Sequence, residues 1–167
     1  EAHKVDVSFI RQTYKITFTV SENGKVTYND GTAQEVAGGS VNIEKIFNES
    51  TDPANPTKIE LTATPNANYR VSQVIVDNGK PETFSENDKK YTKEFEMTKD
   101  HSFIVEFKLN TYTVEVNTGE NGSVTFPNGK SEITVNHGDN TELKIIPQIG
   151  YELTSLTVGS TESIETV

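Results

Sequence analysis

The feature that most limits what this chain can fold into is an internal repeat. The stretch from Tyr14 through Asn23-Gly24 to Tyr28 returns as Tyr112 through Asn121-Gly122 to Phe126. A constant offset of 98 carries His3 to His101, Tyr14 to Tyr112, Asn23 to Asn121 and Gly31 to Gly129. Each copy alternates apolar and polar residues, as in Ile16, Phe18 and Val20, which is the pattern of a strand with one face buried. Asn-Gly between two alternating runs predicts a β-hairpin with a type I′ turn in both copies. The fold class that follows is mainly β, built of tandem small β-sheet repeat domains, β-grasp-like or small sandwiches, with little or no helix.

Each core is expected to be modest. Apolar residues make up 32% of 167, or about 39% once the 11 glycines are counted, against a typical 45–50%. The chain has no cysteine, so neither disulfides nor thiolate metal sites help to hold it, and its stability must come from its sheets. A formal net charge of -10, from 15 basic and 25 acidic residues, repels phosphate backbones and anionic lipid, so nucleic acid is not an expected partner. No apolar run approaches the length of a membrane span, so no membrane insertion is expected. The chain opens inside a strand pattern, with Val5, Val7 and Phe9 alternating, which predicts a piece of something longer.

After Gly31 the copies slip. Val36-Ala37-Gly38-Gly39 matches Val135-Asn136-His137-Gly138 at an offset of 99, and Glu60 to Pro65 matches Glu142 to Pro147 at an offset of 82. The first copy therefore holds 17 extra residues, near 41–58. Their second half, with Pro53 and Pro56 among polar residues, reads as a loop. Val41 to Phe47 fits either a short helix or a strand, and an extended hairpin arm is the preferred reading, because hairpin loops grow at small entropic cost. Asn68 stands where the other copy has Gly150, a swap that predicts a positive φ. The three-residue step from Val71 to Val74, where two is the rule, predicts a bulge. Asp77-Asn78-Gly79 predicts a turn.

The residues offer little chemistry. His3 and His101 share one repeat position, and His137 sits before Gly138 in a turn, so nothing brings the three together. Gly129-Lys130-Ser131 is preceded by Gly122 at a spacing too long for a phosphate loop, and Val124 and Phe126 make the interval a strand. Asp77-Asn78-Gly79 lacks the alternating oxygen ligands that calcium needs. Tyr14, Tyr28, Tyr69, Tyr91, Tyr112 and Tyr151 could stack on sugars, but recurrence and the replacement of Tyr28 by Phe126 point to core packing. Lys15 or Lys108 beside an Asn could form an isopeptide crosslink, although one sequence cannot pair them. No catalytic, cofactor-binding or metal-ligating residue is assigned, and a non-enzyme is expected.

The order of features resembles the divergent internalin-B-type B repeat of long bacterial surface proteins. The residues that carry the resemblance are Tyr14-x-Ile16-x-Phe18, Asn23-Gly24-x-Val26, Gly39-Ser40, Leu61-x-Ala63-x-Pro65, Tyr69-x-Val71, Val76-Asp77, Tyr91-x-x-x-Phe95-x-Met97, His101 and Val105-x-Phe107. The second copy matches through Val158. Such repeats usually carry Trp where this chain has Val74 and Leu156, so its core must be filled differently. The resemblance implies small β-rich domains strung end to end on an extracellular protein, at a bacterial surface or secreted. In that frame residues 1–12 are the last strand of a preceding repeat, 13–110 a complete repeat, and 111–167 a following repeat without its last strands; a frame of 3–98 fits the period equally. The expected role is a non-catalytic stalk or spacer, or else an adhesion module whose 41–58 loop contacts a protein or glycan. The 4–10 strand is expected to pack on the first copy, leaving a monomer.

Overall fold

The computed structural model describes residues 3–29, 32–84, 89–160 and 163–166, with side chains up to residue 159. Two compact units divide the chain, Glu1–Asn110 and Thr111–Val167.

Unit 1 holds nine strands: β1 (Thr13–Val20), β2 (Gly24–Asn29), β3 (Ala33–Ala37), β4 (Ile43–Asn48), β5 (Lys58–Pro65), β6 (Tyr69–Val76), β7 (Glu82–Thr83), β8 (Tyr91–Glu96) and β9 (His101–Leu109). They form a five-stranded sheet of order β4-β1-β9-β6-β7 and a four-stranded sheet of order β3-β2-β5-β8. The described residues contain no helix. The chain is mainly β, in small sheets, and unit 1 is a sandwich.

Alternation along the strands builds the core. Ile16, Phe18 and Val20 of β1 and Phe103, Val105 and Phe107 of β9 face Val26 and Tyr28 of β2, Leu61 and Ala63 of β5, and Phe95 of β8. Rings join the two sheets: Phe18 stacks on Tyr28 with centroids 5.7 Å apart, and Phe95 meets Phe103 edge-on at 6.1 Å. Val74 is fully buried. At the centre, β9 runs parallel to β1 and antiparallel to β6. The expected bulge lies on β6, where the register shifts between Val71 and Gln73 and so brings both Val71 and Val74 inward.

The hairpin expected at Asn23-Gly24 does not form. β1 and β2 lie in different sheets, so the segment between them is an arch from one layer to the other. Asn23 has φ 69°, but Gly24 is not left-handed, and a type I′ turn needs both. Contacts at the arch explain the outcome. The Ser21 amide donates to the Val105 carbonyl at 3.0 Å, and the Phe107 amide donates to Ser21 Oγ at 2.8 Å, which ties the end of β1 to β9. Gly24 is needed for space: a Cβ there would lie 2.3 Å from the Phe107 ring. Positive φ at two consecutive residues occurs instead at Asp77 (51°) and Asn78 (54°), where Gly79 N–H closes on Val76 O at 2.8 Å.

Two further expectations fail. The extra residues of the first copy make no protruding arm: Ile43–Asn48 is the edge strand β4, antiparallel to β1, with Phe47 buried against Tyr28. Residues 4–10 do not pack on the first copy as a strand: they form none, and Val5, Val7, Phe9 and Ile10 are 82%, 68%, 92% and 96% exposed. β1 is already flanked by β4 and β9, so this sheet has no open position beside it.

Unit 2 contains β10 (Thr111–Glu115), β11 (Gly122–Thr125), β12 (Glu132–Asn136), β13 (Lys144–Pro147), β14 (Thr157–Ser160) and β15 (Ser163–Thr166), paired as β10-β12, β11-β13 and β14-β15. The β11-β13 ladder repeats β2-β5 in register, Gly122 opposite Pro147 as Gly24 is opposite Pro65. Asn68 and Gly150 both have positive φ, 68° and 88°, as their swap predicts.

Candidate functional site

A shallow polar groove lies beside the loop that joins β4 to β5. Arg11, Asn48, Thr57 and Lys58 supply its polar groups, and Ile46 and Phe47 its apolar part. Alternation along β4 turns Phe47 into the core and leaves Ile46 71% exposed. The loop is shaped by its own bonds: Asp52 N–H donates to Ser50 Oγ at 3.1 Å, Asp52 Oδ1 accepts the Ala54 amide at 2.9 Å, and Thr57 Oγ1 donates to Asn48 O at 3.1 Å. The Asn55 side chain and the Ala54 amide hold the Asp52 carboxyl below its ordinary value.

Arg11 is fixed by donating from Nε to the Glu49 carbonyl at 2.7 Å, and the Glu49 amide donates back to Gln12 O at 2.9 Å. Tyr14 lies alongside, accepting from Gln12 Nε2 at 2.9 Å. Burial, then the nearby Glu49 carboxylate, raises its hydroxyl above the ordinary phenol value. Lys58 Nζ meets Glu94 at 2.9 Å and Glu96 at 3.6 Å; the Glu94 hydrogen bond and charge raise the ammonium pKa. These groups are amides, hydroxyls, cations and carboxylates bonded to one another.

A second cluster lies where the β6-β7 turn meets the start of β9. Asp77 accepts the Ser102 amide at 3.0 Å, Lys99 Nζ at 3.0 Å and His101 Nδ1 at 2.9 Å, while His101 Nε2 is 3.2 Å from the Glu96 carbonyl. Burial alone would raise the Asp77 carboxyl, but the Ser102 amide, Lys99 and His101 outweigh it and hold the carboxyl below 3.8. The His101 ring also packs edge-on against Phe95 at 4.9 Å. With both ring nitrogens engaged and an aromatic neighbour, the cluster ties a turn to the central strand.

The other candidates disperse. His3 is exposed, and His137 lies beside Tyr112 with Nδ1 3.4 Å from its hydroxyl. Among the described residues no group of three His, Cys, Asp or Glu could hold a metal ion. Gly129 is a turn residue at φ 79°, closed by Phe126 N–H to Lys130 O at 2.9 Å. Lys15 Nζ pairs with Glu44 at 2.7 Å. Tyr28 is core, and Tyr14 and Tyr91 pack against the core, but Tyr112 and Tyr151 are 48% and 56% exposed, so the core reading fails for those two. The groove itself was hidden from the sequence, because Arg11 and Lys58 meet only through β4.

A family model described as the divergent InlB B-repeat domain matches residues 32–111 and 112–167. The chain belongs to the divergent InlB B-repeat domain family. The two matched segments meet beside the boundary between the units, so both units are B repeats. Repeats of this family are associated with bacterial surface or secreted proteins, and this chain is a repeat module of the family. Comparisons with curated proteins and with solved structures returned no match.

Proposed function

We propose that the chain is a non-catalytic spacer, a run of B repeats that holds other parts of an extracellular bacterial protein at a distance. The observation that carries this reading is the joint between repeats. β9, the central strand of unit 1, ends at Leu109, and β10 opens the next repeat at Thr111, so a single residue, Asn110, separates them. Its amide donates to Asn68 O at 2.8 Å, which anchors the joint to unit 1. A core strand that runs almost directly into the next repeat leaves little slack, which suits load-bearing or length-setting better than capture of a substrate. In the parent protein, adding or removing one repeat should change the reach of the distal domain while its activity in solution stays the same. Loss of that activity on removing a repeat would end the spacer reading.

A second reading, an adhesion module, is favoured by the groove beside the 49–57 loop. Preformed loops on a fixed scaffold commonly carry recognition. Arg11→Ala and deletion of residues 50–56 should then abolish binding to whichever glycan or matrix protein a screen identifies. A screen that finds no ligand for the unaltered chain counts against it.

A further inference from the structure

The first and last strands of unit 1 are neighbours. β1 and β9 lie side by side in the five-stranded sheet, and theirs is the one parallel pairing among the described strands. Parallel pairing puts the start of β1 and the end of β9 at opposite ends of their ladder, with Ile16 opposite His101 and Val20 opposite Val105. Tension along the chain therefore draws Thr13 back along β1 and Leu109 onward along β9, and the two strands are pulled past each other. Every bond of the ladder then carries part of the load, whereas strands pulled apart from one end lose their bonds in turn.

The ladder is fastened beyond its paired residues. At one end the Lys15 amide donates to Asp100 Oδ1 at 3.0 Å. At the other, the Ser21 amide donates to the Val105 carbonyl at 3.0 Å and the Phe107 amide to Ser21 Oγ at 2.8 Å. β4 holds the far edge of β1 and β6 the far edge of β9. Sliding β1 would also drag the buried Ile16, Phe18 and Val20 across the side chains of the facing sheet. A single hydrogen bond contributes little net stability, so resistance depends on loading several together. We infer that the β1-β9 ladder is a mechanical clamp, which keeps unit 1 folded while the chain is under tension. The inference rests on the spacer reading for the source of that tension, and its test is separate.

Single-molecule force spectroscopy on the full chain tests the clamp. The chain has no cysteine, so pulling handles can be attached at introduced pairs. Thr13→Cys with Lys108→Cys loads the ladder in shear, and Thr13→Cys with Thr98→Cys pulls at the end where both strands begin and peels it. All three residues are exposed, so circular dichroism should match the parent. Opening of unit 1 is recognised by the release of about 300 Å of chain, at about 3.3–3.6 Å per residue. Forced unfolding follows the unfolding rate, and at equal loading rate the shear pair should need at least about twice the force of the peeling pair. Ser21→Ala should lower the force in shear and leave it unchanged in peeling, where that end of the ladder breaks last; a loss of general stability would lower both. Equal forces in the two geometries overturn the clamp, and so does a Ser21→Ala effect of the same size in both. The force ratio in the Ser21 background decides the matter even where Ser21→Ala does not fold. Either negative result leaves the spacer reading to its own test, the reach of the parent protein with repeat number.

Discussion

The two units share a sequence pattern and differ in how much of it they bury. Leu61 is fully buried in unit 1, while its repeat counterpart Leu143 is 36% exposed; Val71 is fully buried, and its counterpart Leu153 is 55% exposed. Local geometry is nonetheless retained. Asn66 N–H donates to Asn23 O at 2.9 Å, and the equivalent Gln148 N–H donates to Asn121 O at 2.9 Å. Turns and the β2-β5 type of ladder therefore depend on nearby residues, whereas the unit 1 core draws on strands distant in sequence, β9 among them. That strand contributes Phe103, Val105 and Phe107 to the unit 1 core, and unit 2 has no strand in its place among the described residues.

Pairing differs as well. β3 pairs with β2 in unit 1, but β12, its counterpart in sequence, pairs with β10 and so occupies the place that β4 takes on β1. Gly38 helps to explain this. A Cβ there would lie 2.5 Å from Gly24 O, and the second copy has His137 at that position. A side chain cannot be accommodated where β3 approaches the arch. The extra length of the first copy, near 41–58, forms β4 and the 49–57 loop that follows it.

The sharpest way to break the comparison is to empty equivalent positions. Leu61→Ala should cost about 2–5 kcal/mol, and Leu143→Ala less than about 1 kcal/mol, read by urea unfolding with amide hydrogen exchange to separate the units. Equal losses would mean that unit 2 has a core like that of unit 1. The next contrast is at the arch. Gly24→Ala should cost about 1–3 kcal/mol because Phe107 must move, and Gly122→Ala less, since the nearest atom to its Cβ is Ile146 O at 3.2 Å. Thermal unfolding of both variants would show the order.

Asp77 gives a third test, because its counterpart in unit 2 is Gly159, which has no carboxylate. A carboxyl held below its ordinary value stabilises the folded state fully above that value, and the contribution is lost as pH falls through the lower folded value. Asp77→Asn should therefore cost unit 1 about 1–3 kcal/mol at neutral pH, and the gap to the parent should narrow below about pH 4. Urea titrations at both pH values would measure it; a gap that widened in acid would contradict the network. The smallest effect is expected at the left-handed turn. Asn68→Gly and Gly150→Asn should each change stability by less than about 1 kcal/mol, whereas Gly150→Val should be clearly worse in a melting curve.

The sequence by itself determined what is local or periodic: the repeat, the strand faces, the left-handed position shared by Asn68 and Gly150, and the bulge between Val71 and Val74. Each is set by residues a few positions apart, so alternation and turn chemistry carry the information. Tertiary structure alone decided which strands are partners. Asn23-Gly24 carries the signal of a tight hairpin, yet Ser21 is held by β9, and Gly24 lies under Phe107, more than eighty residues along the chain. The groove of Arg11 and Lys58 and the knot of Asp77 and His101 arise in the same way, from strands far apart in sequence brought together, across the layers for the groove and side by side in one sheet for the knot. The Tyr14 stretch thus marks the period of the repeat, while the pairing of β1 with β9, some eighty-five residues along the chain, is set by the tertiary structure.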